Sequence, residues 1–219
     1  MNLKIWFIVS LLITSITYAT DLPFEIRHIP TTKPWVAITF DDGPSIYTER
    51  ILQQLAKKNA TATFFLQAKN IEQYPNLALK IYAAGHSVAN HGYQHDHVEK
   101  KNPKQLIEMI AKSQLVFYDI FDFIPRYYRP AYSRIAPGQI DLLKMHFLHL
   151  IRWNIDPQDW NKKHSKRYII NHITKNIKAG DIIILHESEK TIKLLPKLIK
   201  KIQKKGLQCK DIDSIMASI

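Results

Sequence analysis

Cysteine is almost missing from these 219 residues. Cys209 stands alone, so no disulfide can form within the chain, and stability has to come from the core or from a bound ion. Apolar runs of membrane-spanning length are missing too: Ile5 to Ile16 covers about twelve residues, short of the ~18 a spanning helix needs, and no longer run follows. Neither a repeat period nor a low-complexity linker divides the chain, which argues for one unit rather than two. Acidic residues are scarce, 19 against 31 Lys and Arg, for a formal net charge of +12. That balance suits an acidic surrounding such as an anionic envelope polymer, although much of it sits in the Lys-rich stretch 190–205, where a solvated helix face is the commoner explanation. No nucleic-acid-binding motif is present, and nucleic acid is not expected as a partner.

What is there begins with an export pattern. Lys4, the apolar run and then Thr17-Tyr18-Ala19 follow the basic, hydrophobic, small-residue order of a secretory signal. We expect residues 1–19 to be a signal peptide cleaved after Ala19, with a retained anchor as the alternative. Residues 20–219 would form a single domain, periplasmic or secreted, with no stable membrane span in the mature chain.

Trp35-Val36-Ala37-Ile38-Thr39-Phe40 reads as a buried strand, and Asp41-Asp42-Gly43-Pro44 ends it in two carboxylates and a turn. Further strands are expected at 62–66, 86–90, just before Tyr128, at 147–153, at 181–186 and from 206 to 209, seven in all. Helices are expected at 47–58, 70–84 with Gly85 as C-cap, from Asn102-Pro103 onward, and at 137–145, 165–178 and 190–205. Residues 20–34 and 156–164 read as irregular. Strands alternating with helices imply a parallel sheet, because parallel neighbours need crossover connections. The polar clusters at Asp41-Asp42, His91 to His95, Arg129, Asp156 to Asp159 and His186 each follow a strand, and in a barrel they would share one mouth. An open doubly wound sheet is the alternative.

Two acids at a strand's end can serve a metal and a proton transfer, or can merely cap the next helix. His91 and His95 are four positions apart, a spacing one helical turn would set side by side. His86 and His97 nearby allow a plain surface cluster instead. Joined to Asp42, the pair makes a two-histidine, one-carboxylate set with positions left for water and substrate, and the combination favours the metal reading.

With these motifs in place, the chain resembles the polysaccharide deacetylases of carbohydrate esterase family 4, the NodB-homology family, over nearly its whole mature length. Five stretches in the family's order carry the resemblance: Thr39 to Pro44, His91 to His95, Arg129-Pro130-Ala131-Tyr132, Asp156 to Trp160, and Ile184-Leu185-His186. The resemblance implies an α/β fold, a distorted seven-stranded (β/α) barrel. It implies a metal-dependent hydrolase, an enzyme removing N-acetyl groups from N-acetylhexosamine units of peptidoglycan, a chitin-like polymer or another envelope glycan. Asp41 would be the base, with Arg129 orienting it and keeping it ionised, and His186 the acid, tuned by Asp159. Asp42, His91 and His95 would hold a divalent ion, zinc by preference. The Tyr132 N–H would help hold the oxyanion, and Trp160 and Ile184 would enclose the acetyl methyl. Gly92, Ala131, Ser133 and Ile184 depart from the family pattern. Gly92 replaces a hydroxyl residue, which removes a bond that steadies the ligand loop, with weaker metal binding or a more mobile loop as the expectation. Two other readings remain at this point: a non-catalytic envelope glycan-binding protein using the Lys-rich face, and a metal-independent amide hydrolase.

Overall fold

Strand β2, Trp35–Gly43, is the one from which the sheet is built outward. The structure, a computed structural model, describes residues 22–147 and 149–219, so the expected signal and its cleavage point lie outside the described residues. On one side β2 pairs with β3, Thr63–Leu66, and with β8, Gln208–Lys210; on the other it pairs with β7, Ile182–His186; all are parallel. Beyond β3 follow β4 (Ser87–Asn90), β5 (Tyr127–Tyr128), β6 (His149–Ile151) and β1 (Glu25–Ile26). The far edges then meet: His28 bridges Asp181, and Ile155 bridges Ile183. Those bridges join the ends of the sheet, and the fold is a distorted (β/α) barrel rather than an open sheet.

The alternation of β2 explains the division of the core. Val36, Ile38 and Phe40 point outward and pack against helices α1 (Thr48–Ala56) and α7 (Glu189–Gln203), while Ala37 points inward with Phe65, Ala89, Ile151 and Ile182. Thr39 and Asp41 continue the inward set, so the barrel interior turns polar towards the strands' carboxyl ends. Helix α7 buries Leu194, Leu195, Leu198, Ile199 and Ile202 almost completely, each worth roughly 1.5–3 kcal/mol of transfer free energy. Helix α4, Pro103–Phe121, opens as expected, with an Asn102/Gln105 capping box and proline in its first turn.

Three expectations need correction. Among the described residues the sheet has eight strands rather than the seven expected, because two residues of the expected irregular lead-in, Glu25 and Ile26, pair with Leu150 and Ile151 of β6. A two-residue strand next to three prolines leaves no periodic signal. The single helix expected over 70–84 is two, α2 (Ala68–Gln73) and α3 (Pro75–Ala83). Pro75 disfavours helical geometry in the residue before it, and Tyr74 sits at φ −131°, ψ 55°. The strand expected to run to Trp153 ends at Ile151, and Trp153 turns towards the mouth of the barrel. The remaining helices are α5 (Ile140–Lys144), α6 (Lys166–Lys175) and a short α8 (Ile212–Met216) that closes the lower end.

Candidate active site

Two consecutive carboxylates reach one cleft because the backbone breaks its alternation between them. Asp41 is in register with His186 of β7, whereas Asp42 takes a left-handed conformation (φ 71°) at an irregularity in the β2–β3 pairing. A left-handed non-glycine residue is strained, and such strain gathers at functional sites. At Gly43 an added Cβ would lie 2.3 Å from Oε1 of Glu187, so any larger residue would have to displace that carboxyl. Glu187 in turn accepts hydrogen bonds from Ser45 (2.5 Å) and Thr48 (2.6 Å), pinning the turn, and burial pushes its carboxyl up to about 7.

The resulting cleft has a volume of about 500 Å³ and takes its lining from Asp41, Asp42, His91, His95, Tyr132, Trp160, Ile184 and His186, with Pro130, Ser133, Arg134, Trp153 and Asp156 completing it. Arg129 and Asp159 lie behind the wall, both buried. Thus the cleft and its immediate backing hold all ten candidate residues from the sequence.

Asp42, His91 and His95 each offer one ligand atom, and these atoms lie within 4.8 Å of one another. Nε2 of His91 is 3.5 Å and Nε2 of His95 3.6 Å from Oδ1 of Asp42. His91 Nδ1 pairs with the carbonyl of Arg129 at 2.7 Å, which fixes the ring and leaves Nε2 for the cleft. Burial alone would favour neutral His91 and un-ionised Asp42. For Asp42, the hydrogen bond and charge of His91, with His186 and His95, hold the carboxyl far below the usual carboxylate range. For His91, the charges of Asp41 and Asp42 win and raise the imidazole. A cation would therefore compete with a proton for Nε2. Two imidazoles and a carboxylate converging with their lone pairs suit a divalent ion of the zinc type.

The segment 91–97 is not helical, contrary to the spacing argument. A turn brings the two rings to 5.7 Å between centroids. Gly92 stands at φ 88°, where a residue with a Cβ is strained, and its N–H donates to Oδ1 of Asn90 at 2.7 Å while its carbonyl accepts from Ala68 (3.0 Å). The adjacent Tyr93 carbonyl accepts from Lys69 at 2.8 Å. These bonds tie the loop to α2 and to Asn90 at the position where the hydroxyl is missing.

Arg129 is fully buried and spends its guanidinium on four oxygens: Asp41 Oδ1 at 2.5 Å, Thr39 Oγ1 at 2.8 Å, and the carbonyls of Ile151 and Arg152 at 3.1 Å. Its carbonyl holds His91, so one residue orients both the candidate base and a candidate ligand. Across the cleft, His186 Nδ1 meets Asp159 Oδ1 at 2.7 Å, and Asp159 Oδ2 accepts from the His186 N–H (2.8 Å) and Thr191 Oγ1 (3.0 Å). Burial lowers the His186 pKa, but the Asp159 hydrogen bond and charge, then Asp41 and Asp42, outweigh it and raise the group from 6.5 to about 9.

Several contributors escaped the sequence reading. Gln67 donates to Asp42 Oδ1 at 2.6 Å and Asn70 to its carbonyl at 2.8 Å. Lys190 donates to the carbonyls of Asp159 (3.0 Å), Asn161 (2.8 Å) and His164 (3.2 Å), tying the loop that carries Trp160 to the start of α7. The Tyr132 ring packs edge-on against His95 at 4.3 Å and stacks on His97 at 4.2 Å. Only the position of Gln67 and Asn70 just after a strand hinted at a role. Lys190 looks like any other lysine of a basic helix.

The profile of the family described as polysaccharide deacetylase matches residues 28–148. A peptidoglycan-N-acetylglucosamine deacetylase of Bacillus cereus is 32% identical over 183 residues, covering 81% of this chain and 66% of the relative. The peptidoglycan-N-acetylmuramic acid deacetylase PdaC of Bacillus subtilis is 30% identical over 190 residues, 86% of this chain and 40% of that protein. The chain thus spans under two thirds of either relative's length. The solved Bc1960 peptidoglycan N-acetylglucosamine deacetylase superposes with a TM-score of 0.83 at 30% identity, covering 89% of this chain and 94% of its own.

Proposed function

From the membership of this chain in the polysaccharide deacetylase family, we propose that it is a metal-dependent hydrolase, acting on the N-acetyl groups of N-acetylhexosamine units in an envelope polysaccharide. Peptidoglycan is the first candidate, since relatives covering most of the chain carry that substrate in their names. Action on such a polymer fits an exported protein, periplasmic or secreted. The observation that carries the reading is the juxtaposition of three ligand atoms within 4.8 Å with Asp41 and His186, neighbours across β2 and β7.

A zinc ion held by Oδ1 of Asp42 and Nε2 of His91 and His95 would act as a Lewis acid and bring the pKa of a bound water from ~15.7 towards ~7. Asp41 would take a proton from the attacking water, and Arg129 holds its carboxylate in place. The N–H of Tyr132 donates to the oxyanion, held ready by a backbone already in the left-handed region (φ 55°). His186, with Asp159 behind it, gives a proton to the amine so that the C–N bond can break. Ile184, 4% exposed, and Trp160, 62% exposed, form a floor and a rim for the acetyl methyl.

The direct test is acetate release from acetylated chitooligosaccharides and from peptidoglycan in the presence of zinc. We expect release that a chelator abolishes and added zinc restores. Metal bound without acetate from any acetylated glycan would sink the proposal, and release that survives complete chelation would sink its metal dependence.

The acid's titration gives a second check. His186 must be protonated to serve, so the rate holds at pH near 6.5 and falls as pH rises towards about 9, and a bound cation, offsetting Asp41 and Asp42, draws that fall into the lower part of the window. In Asp159→Asn the burial effect is no longer opposed by its largest partner, and the falling limb should move down in pH. A limb unmoved by that substitution would take His186 out of the acid's role.

A further inference from the structure

The basic residues of α6 and α7 do not form a featureless solvated face. Lys166 and Arg167 from the first turn of α6 and Lys193, Lys197 and Lys201 from α7 wall a groove of about 580 Å³ whose floor is Ile170 and Leu194, both buried. The three α7 lysines recur every four residues, so they stack along one side over about 12 Å of helix. Asn171 accepts from Lys201 Nζ at 3.0 Å, linking the two walls. Among the described residues, Glu189 is the one carboxylate paired with any of these five cations, through Lys193 at 3.1 Å. Four cations therefore face the groove without an acidic partner within pairing distance, and their aliphatic stems lie along an apolar floor.

We propose that this groove binds a linear polyanion, a polymer bearing regularly spaced phosphodiester or carboxylate groups such as an anionic envelope glycan. It would hold the protein on that polymer independently of the catalytic cleft. Concave shape and regular charge spacing favour a chain over a flat lipid surface, which would meet only the rim of a groove. The upper end, at Lys166, lies two residues past the Asn161–His164 turn, which Lys190 ties to α7 and which directly follows Trp160 at the cleft rim. A polymer lying in the groove would thus bring its neighbours to the mouth of the barrel.

The test is equilibrium binding of the folded protein to polyphosphate, polygalacturonate, uncharged dextran and phosphatidylglycerol vesicles. We expect binding to one or both polyanions, none to dextran, and a loss of roughly 10²-fold between ~50 and ~200 mM salt, the size for about four ion pairs on a densely charged chain. Lys166→Gln, Arg167→Gln, Lys197→Gln and Lys201→Gln together should weaken polyanion binding at least about tenfold, and the same four-charge change at the exposed Lys33, Lys57, Lys100 and Lys104 by less than about threefold, since only the first set removes groove contacts. Equal losses in the two variants would reduce the effect to net charge and overturn the proposal, as would vesicles bound in preference to both polymers, or no binding at all. Acetate release from a short chitooligosaccharide should be unchanged in the groove variant. Because polyanion binding is read without turnover, failure of the deacetylase reading and failure of the groove give different results.

Discussion

Asp41→Asn is expected to lower kcat/KM for acetate release by about 10³-fold, the middle of the range for removing a general base. The substitution keeps the shape of the side chain and leaves an oxygen to accept from Arg129 Nη1, which now meets Asp41 at 2.5 Å. The protein should still fold, at a cost in stability because the buried Arg129 loses its counter-charge while keeping its bonds to Thr39 and the carbonyls of Ile151 and Arg152, and the ion should survive. Zinc content of the purified variant should match the parent, because the proposed ligand atoms belong to Asp42, His91 and His95. A variant retaining more than a tenth of the parent rate would remove Asp41 from the base's role. Loss of zinc along with activity would mean instead that Asp41 is part of the ligand set.

Arg129→Met is expected to cost about 3–5 kcal/mol of stability, because it strands a buried carboxylate. Asp41 is 3% exposed and Arg129 not at all, so neither charge can turn to water. Beyond the charge, Thr39 and the carbonyls of Ile151 and Arg152 lose donors, and Phe65 loses the guanidinium packed 3.8 Å above its ring. Urea unfolding measures the loss. The double variant Arg129→Met/Asp41→Asn discriminates: with the carboxylate neutralised, it should recover part of the deficit even though two residues are changed. A single variant costing under about 1 kcal/mol, or a double variant less stable than the single, would contradict a buried charge pair as the brace of the site.

These two predictions meet in one residue. Arg129 holds Asp41 with its side chain and His91 with its carbonyl, so the proposed proton acceptor and the proposed metal ligand are braced by the same short stretch after β5. Such coupling puts great demand on the packing around it. Ten residues brought to one cleft from five separated stretches need rigid supports, and the parallel strands, each fully buried over β3 and β4, supply them.

The barrel was legible because its signals are local and repeated. Val36, Ile38 and Phe40 alternate with inward positions, Asn102-Pro103 marks a helix start, and the apolar run 182–185 marks a strand covered on both faces. The candidate groups were legible because residue types at motif spacing are themselves local. The helical reading of His91 to His95 failed because spacing alone carries no backbone angle, and Gly92 at φ 88° bends the segment where a helix would have continued it. Gln67, Asn70, Thr191 and Lys190 went unread because their partners lie 25 or more residues away along the chain.

By itself, the order of residues determined which groups are available: two acids, two imidazoles, an arginine and an acid–imidazole pair, each at the end of a strand of a parallel α/β chain. Only the tertiary structure decided that Asp42 turns to the same side as Asp41, that Arg129 contacts both Asp41 and His91, and that lysines on two helices face each other across a groove. The reason is that backbone reversal at one residue and pairing between distant elements depend on packing against the rest of the molecule, and packing is a property of the whole fold that no short stretch carries.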